Sequence, residues 1–97
     1  MSDPVILAIT FTAKADALDE LFARLTDLAA SACREPGCRM FRVHRIMGQP
    51  VALYVYEEWA TADDFEQHRR TPGSQALNAA LGGLLERAPD YHRLALA

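Results

Sequence analysis

A strand pattern passes directly into a helix pattern within Tyr54-Val-Tyr-Glu-Glu-Trp-Ala-Thr-Ala-Asp-Asp-Phe-Glu-Gln-His68. The segment Val51 to Trp59 is rich in β-branched and aromatic residues, which favours a strand. Thr61 can then cap the first turn of a helix, and Asp64 follows three residues later in a capping-box-like position. The pattern therefore predicts a strand-to-helix corner in the middle of the chain.

This corner also collects the side chains with the most useful chemistry. Glu57 and Trp59 share one strand face because side chains alternate along a strand. Phe65 and His68 share one helix face because they are three residues apart. If the helix packs on that strand face, the four groups converge, and we therefore predict the functional site at this corner.

The first half of the chain reads as a strand followed by a helix. Val5 to Thr12 is apolar in both of its alternating sets, which is typical of a strand covered on both faces. Asp16 is a plausible N-cap, and apolar residues then recur at three- and four-residue steps from Leu18 to Ala32. The pair Glu35-Pro36 ends this helix because a residue before proline disfavours helical geometry.

The second half completes the pattern. Cys38 to Met47 is predicted as strand two, and a short Gly48-Gln49-Pro50 connection leads into strand three. Helix two begins at Thr61 and is interrupted at Thr71-Pro72-Gly73-Ser74, where Thr71 can cap a second segment. The segment Tyr91 to Leu96 is a short last strand. The order β-α-β-β-α-β predicts one α+β domain over residues 1–97, ferredoxin-like, with a four-stranded antiparallel sheet and both helices on one face.

The predicted arrangement leaves the other sheet face uncovered. Strands one and three carry apolar residues on that face too, and an exposed apolar face is a liability for a soluble protein. Packing of a second copy, sheet against sheet, would cover it. We therefore predict a homodimer.

Composition excludes several classes of partner. The 97 residues carry a formal net charge of −3, which does not favour nucleic-acid binding. No apolar run approaches the ~20 residues that a membrane span needs, and no signal-peptide pattern is visible, so we expect a cytoplasmic protein without a membrane partner. Cys33 and Cys38 are expected to be reduced, small, semi-buried side chains, since their spacing does not match a zinc site.

Four short stretches, in order, carry a resemblance to a known family. They are Arg34-Glu-Pro-Gly-Cys38, Tyr56-Glu-Glu-Trp59, Phe65-x-x-His68 and Thr71-Pro72. Together they resemble the antibiotic biosynthesis monooxygenase (ABM) family, in particular its quinol monooxygenase-like branch of short stand-alone chains. The resemblance implies a dimeric α+β barrel and, as one activity of the family, cofactor-free oxidation of aromatic polyketides and quinols by O₂.

Individual positions narrow what the resemblance implies. Trp59 matches a tryptophan implicated in the polyketide oxygenases, whereas the Asn that those enzymes place four residues earlier is Val55 here. Haem-degrading relatives need an Asn in the first strand, and Val5 to Thr12 has none. Their helix-two Trp corresponds to His68, and their haem ligand falls near Asn78. Haem degradation is therefore disfavoured.

Two candidates are ionisable groups at the predicted corner. His68 is predicted to act as a general base, since imidazole titrates near neutral pH; the alternative is a helix-end partner of Asp64. Glu57 is predicted to orient substrate hydroxyls; the alternative is a structural ion pair with Arg42 or Arg45.

Trp59 is predicted as a stacking wall of the pocket, although a core role is equally compatible with its position. His44 is predicted to orient hydroxyls together with Glu57, and the alternative is pairing with glutamates at the dimer face. Neither a Gly-rich phosphate loop nor a metal-ligand cluster is visible, so no cofactor and no metal are expected.

The favoured function is cofactor-independent monooxygenation of a small quinol or polyketide-like phenol, with O₂ as the other substrate. Two alternatives use the same pocket without consuming O₂. One is an isomerase of a small carbonyl compound, and the other is a dimer that binds a small molecule without catalysis.

Overall fold

The computed structural model describes residues 3–97 and contains seven elements in the order β-α-β-β-α-α-β. They are β1 (Val5–Thr12), α1 (Leu18–Ala32), β2 (Cys38–Arg45), β3 (Ala52–Trp59), α2 (Ala62–Arg69), α3 (Pro72–Leu84) and β4 (Asp90–Leu94). The predicted interruption of the second helical region is therefore a break between two helices, α2 and α3.

The four strands form one antiparallel sheet in the order β2-β3-β1-β4. Leu7 on β1 lies opposite Glu57 on β3 and opposite Arg93 on β4, so these three residues form one row across the sheet. The strand order and the helices on one face confirm the predicted ferredoxin-like fold. Within residues 3–97, no helix is long and apolar enough to span a membrane.

The core lies between the sheet and the helices. One alternating set of side chains from β1 and β3 meets the apolar stripe of α1, because the period of two in a strand and of 3.6 in a helix each define one face. Trp59 and Leu21 have no measurable exposure. The core also contains Val5, Leu7, Ile9, Phe11, Leu25, Leu53 and Val55.

Both predicted threonine caps are confirmed. The Thr61 hydroxyl accepts a hydrogen bond from the Asp64 backbone N–H at 3.1 Å and starts α2. The Thr71 hydroxyl accepts from the Ser74 N–H at 3.2 Å and starts α3, with Pro72 in its first turn. Each cap satisfies one of the free N–H groups at a helix start, which sets where the helix begins.

Three predicted boundaries were wrong. Asp16 does not cap α1; the chain makes a turn closed by the Ala17 N–H to the Lys14 carbonyl at 2.9 Å, and the helix begins after Ala17. Strand β2 ends at Arg45 instead of Met47, because a turn follows in which Gly48 has a φ of 82°. The last strand is Asp90–Leu94 instead of residues 91–96.

The second face of the sheet carries the side chains of β1 and β3 that point away from the helices. Ile6 and Ala8 of β1 are buried there, and Tyr54 and Tyr56 of β3 are half-buried. Within residues 3–97, no helix packs on this face, since α1 and the core side chains lie on the opposite face of the sheet.

Candidate active site

The site lies at the corner where β3 leads into α2. The indole Nε1–H of Trp59 donates a hydrogen bond to Oε1 of Glu57 at 3.0 Å. Both side chains are buried on the helix-covered face, as the alternation along β3 predicts. A carboxyl group there needs a partner in the protein because burial removes its water. The indole supplies that partner.

His68 packs into the same place from α2. Its imidazole is 4% exposed and stacks on the Trp59 ring, with ring centroids 4.4 Å apart and an interplanar angle of 30°. The Phe41 ring on β2 lies 5.6 Å from the imidazole in a tilted arrangement. Two aromatic walls therefore fix the plane of the imidazole.

Two carboxyl groups flank the imidazole. Its Nδ1 lies 3.0 Å from Oε2 of Glu35, and its Nε2 lies 3.9 Å from Oε1 of Glu57. If Glu35 is ionised, it accepts the Nδ1–H, so that the Nε2 lone pair points to the Glu57 side. A carboxylate that holds one nitrogen of an imidazole and leaves the other free is the arrangement that prepares an imidazole to take a proton.

Glu35 is the member of this cluster that we did not predict from the sequence. We interpreted it only as the helix-ending partner of Pro36, and it lies 33 residues from His68 in the chain. The sequence did contain one indication of a role for Glu35, because this residue lies in the Arg34–Cys38 stretch that carries the family resemblance. Local patterns such as helix propensity could not predict the Glu35–His68 contact, because it joins two residues that are far apart in the chain.

Gly37 holds the Glu35 turn against the start of α2. Its φ is 80°, a left-handed conformation that favours glycine, and its carbonyl accepts a hydrogen bond from the Ala60 N–H at 2.8 Å. A Cβ atom at this position would overlap the Asp64 carboxylate. This close approach brings the end of α1 next to α2 and lets Glu35 reach His68.

The electrostatics of Glu57 differ from those of an exposed glutamate. Burial raises the pKa of the Glu57 carboxyl above its ordinary 4.5. The hydrogen bond from Trp59 and the charge of His68 oppose this shift, whereas the nearby Glu35 charge adds to it. The neutral, protonated form of Glu57 is therefore favoured relative to an exposed carboxyl, and Glu57 can donate as well as accept a proton.

A cavity of about 390 Å³ opens beside these groups. Its floor is apolar and consists of side chains from β1, β3, α1 and α3, while Glu57 and His68 lie in its wall. The lining residues include Leu7, Ile9, Phe11, Leu25, Leu28, Phe41, Val55, Phe65, Ser74 and Leu77, with Glu66, Arg69, Asn78, Tyr91 and Arg93 as further polar or charged members. A volume of this size accommodates a small organic molecule.

The structure brings together three of the four predicted site residues. Glu57, Trp59 and His68 are in mutual contact, and Phe65 lines the adjoining cavity. Trp59 does not line the cavity as we predicted; it is a fully buried core residue behind His68, which is the alternative role. His44 does not join them. It lies exposed on the second face of the sheet, with its Nδ1 3.1 Å from the Tyr54 carbonyl oxygen.

The alternative structural roles considered for His68 and Glu57 named partners that the structure places elsewhere. Asp64 is hydrogen-bonded to the Thr61 hydroxyl at 2.9 Å, and His68 pairs with Glu35 instead. The Arg45 guanidinium lies over the Phe22 ring, 4.7 Å from its centroid, and does not reach Glu57.

The two cysteines do not belong to the site. Cys33 and Cys38 are free thiols, Cys33 exposed and Cys38 half-buried, and burial raises the pKa of Cys38 to about 11. Cys33 is more exposed than we predicted, and its thiol lies 3.7 Å from the Phe41 carbonyl oxygen. Within residues 3–97, no group of three or more His, Cys, Asp and Glu side chains is arranged to hold a metal ion.

Fold and site together define a small α+β domain with a buried imidazole–carboxylate cluster beside an apolar cavity. The chain belongs to the antibiotic biosynthesis monooxygenase family, whose model matches residues 4–80. Membership supports a monooxygenase-like function in general terms. No curated protein matches the sequence.

Solved structures agree with this assignment. The chain is similar to Rv0793 from Mycobacterium tuberculosis, with 26% identity, a TM-score of 0.91, and 97% of this chain and 95% of that chain covered. It is similar to PA3566 from Pseudomonas aeruginosa, with 25% identity, a TM-score of 0.91, and 100% and 97% covered. In both cases the likeness extends over essentially the whole of both chains.

Proposed function

We propose that this protein is a cofactor-independent monooxygenase that oxidises a small quinol or phenol with O₂. The observation that carries the proposal is the buried His68 imidazole, held by Glu35 at 3.0 Å and facing Glu57 at the wall of a 390 Å³ cavity. Such a cluster can remove a proton from a bound hydroxyl group. Family membership supports the oxygenase class.

His68 takes the proton in this mechanism. A substrate hydroxyl that approaches from the cavity within hydrogen-bond distance of both Nε2 of His68 and the Glu57 carboxyl loses its proton to Nε2, and Glu35 stabilises the resulting imidazolium. Glu57, whose pKa is raised by burial, faces the same hydroxyl and orients it by a hydrogen bond. The Trp59 ring keeps the imidazole in the required orientation.

The phenolate then reacts with O₂ directly. It transfers one electron to O₂, and the ring radical couples with superoxide to form one C–O bond. The resulting peroxide anion takes the proton back from the His68 imidazolium. Loss of water, made of the terminal OH and the hydrogen of the same ring carbon, then breaks the O–O bond and leaves a ring carbonyl. One phenol and one O₂ thus give one quinone and one water, with no external reductant. The apolar floor favours this route because an anion without its hydration shell gives up an electron more readily.

The direct experiment measures oxygen uptake with a panel of small quinols and phenols under ¹⁸O₂. We expect enzyme-dependent uptake and one labelled oxygen atom in the organic product. Uptake no faster than the autoxidation measured without enzyme would contradict the proposal. Turnover of a carbonyl substrate without oxygen uptake would indicate the isomerase, and thermal stabilisation by a ligand without any turnover would indicate a binding protein.

Glu35→Gln tests whether the carboxylate positions His68. It keeps the size and an acceptor oxygen but loses the charge that fixes the tautomer and stabilises the imidazolium, so we expect kcat to fall by at least about tenfold, with KM nearly unchanged. Glu20→Gln is the matched control, because Glu20 is exposed on α1 and pairs with Arg24 at 2.9 Å. An unchanged kcat in Glu35→Gln would remove Glu35 from the mechanism.

We further propose that the active form is a homodimer joined through the second face of the sheet. Buried Ile6 and Ala8 and half-buried Tyr54 and Tyr56 on that face support the proposal. Aromatic side chains are enriched in such interfaces. A second copy would cover this face and leave the cavity on the opposite side of each sheet accessible to substrate.

A further inference from the structure

The cavity has one end that the proposed chemistry does not use. Its deep end holds Glu57 and His68, whereas the β4 side of its lining carries Tyr91 and Arg93. Arg93 lies opposite Leu7, and Leu7 lies opposite Glu57, so one row of the sheet connects the two ends. With strands about 4.8 Å apart, the Arg93 and Glu57 backbones are separated by roughly 10 Å.

The charges of the lining do not cancel at the β4 end. Arg69 is already occupied, because its guanidinium bonds Glu66 at 3.0 Å and lies 5.8 Å from the centroid of the Phe65 ring. Arg93 has no ion pair or side-chain hydrogen bond within residues 3–97. Among the charged residues of the lining, Arg69 is paired with Glu66, whereas the Arg93 guanidinium has no partner of its own in the described part of the chain.

The surroundings of Tyr91 are consistent with this placement. Burial raises the pKa of the Tyr91 hydroxyl, the positive charges of Arg93 and Arg69 lower it, and the negative charge of Glu57 adds to the increase. Both guanidinium groups are therefore near the Tyr91 hydroxyl. The unpaired Arg93 guanidinium and a phenolic donor at one end of an apolar cavity form a suitable environment for an anionic oxygen group.

We infer that the substrate of the proposed oxygenase is an aromatic acid: a quinol or phenol that carries a carboxylate on the ring, bound by Arg93 with help from the Tyr91 hydroxyl. This inference rests on the proposed function for the reacting end of the molecule. The ring lies over the apolar floor, its hydroxyl faces His68, and the carboxylate faces β4. Arginine suits this task because its planar fork can bond both carboxylate oxygens.

The test compares 2,5-dihydroxybenzoate with its methyl ester, which has the same ring hydroxyls and no charge. Binding is measured by titration calorimetry without oxygen, so that no turnover is needed. We expect wild-type protein to bind the acid about tenfold more tightly than the ester, since a charge-assisted pair contributes about that factor. Arg93→Gln should lose this preference by weakening acid binding, with ester binding within about twofold of wild type.

Two further variants define the role of Arg93. Arg93→Lys keeps the charge and loses the fork, so it should retain part of the preference. Arg24→Gln, an equal change of charge on α1, should retain all of it. Because Arg93 is exposed on β4, its substitution should leave the melting temperature unchanged, which is checked for every variant.

Three results would overturn the inference: equal binding of acid and ester by wild-type protein, an undiminished acid preference in Arg93→Gln, or binding of neither compound at millimolar concentration. Failure of the proposed function looks different. It would appear as Arg93-dependent binding of the acid with no oxygen consumption after air is admitted. The two proposals can therefore fail separately.

Discussion

The two faces of the sheet are made by the same strands but have opposite roles. On the helix-covered face, β3 contributes Glu57 and Trp59, both buried next to His68 and the cavity. On the second face, the same strand contributes Tyr54 and Tyr56, which no helix covers within residues 3–97. A change of one residue in position moves a side chain from one face to the other.

The comparison explains why two histidines of the chain differ so much. His68 is buried between two aromatic rings and bonded to a carboxylate, whereas His44 is exposed and faces the Tyr54 carbonyl. The covered face excludes water around His68 and holds its imidazole between two aromatic rings. Chemistry is therefore expected on the covered face, and association of subunits on the other.

The largest expected effect is the difference in turnover between a variant that lacks His68 and one that lacks His44. His68→Ala should lower turnover by about 10²- to 10⁴-fold, roughly 3–5 kcal/mol of activation free energy, because a general base is lost. His44→Ala should leave turnover within about twofold, since His44 lies across the sheet from the cavity. Steady-state oxygen uptake measures both.

Circular dichroism must show that both variants are folded. An active His68→Ala enzyme would remove His68 from the chemistry and contradict the assignment of function to the covered face.

The second prediction concerns association through the other face. Wild-type protein should have about twice the 10.7 kDa chain mass in light scattering at micromolar concentration. Tyr56→Lys places an unpaired charge in the middle of the second face and should shift the mass towards that of one chain, because burying an unpaired ammonium group is costly. Met47→Lys, at a position 92% exposed, should remain dimeric.

A folded wild-type monomer would be the result that rejects the homodimer. A dimer that survives Tyr56→Lys unchanged would instead place the interface elsewhere.

The smallest expected effect is on the pH dependence of the free energy of unfolding, and it is tested by comparing Glu57 with its neighbour Glu58. Burial raises the pKa of Glu57 above 4.5 in the folded protein, so between 4.5 and the raised value the folded state binds more protons than the unfolded state. The free energy of unfolding should therefore decrease as pH rises through this window, with a slope of at most about 1.4 kcal/mol per pH unit from this group. Below pH 4.5 the contribution is fully present.

Glu57→Gln should remove this slope, because the amide does not ionise and still accepts the Trp59 N–H. Glu58→Gln, on the second face, should leave the slope as in wild type. Chemical unfolding at several pH values measures it. The same slope in both variants would show that Glu57 is not the group responsible.

The elements themselves could be predicted because their causes are local. Thr61 and Thr71 cap the helices that follow them, and alternation along β3 correctly placed Glu57 with Trp59. The boundary at Asp16 was missed because the burial of Ala17 in the core favours a turn before the helix. That preference depends on packing and is invisible in the capping pattern.

The site could be predicted only in part. Alternation placed His44 with Met40 and Arg42, but it could not say which face of β2 matches which face of β3. The register decides this: Phe41 lies opposite Glu57, and His44 lies opposite Tyr54. The prediction that His44 acts beside Glu57 therefore does not hold for the fold of one chain.

The sequence by itself determined the order of strands and helices, the dominant core face and the corner that carries Glu57, Trp59 and His68. Hydrophobic period and capping act over a few residues, so a linear pattern contains them. Only the tertiary structure decided that Glu35 holds His68 and that Arg93 faces the same cavity as Glu57. Those contacts join residues far apart in the chain, and their distances are set by strand register and by the close approach at Gly37.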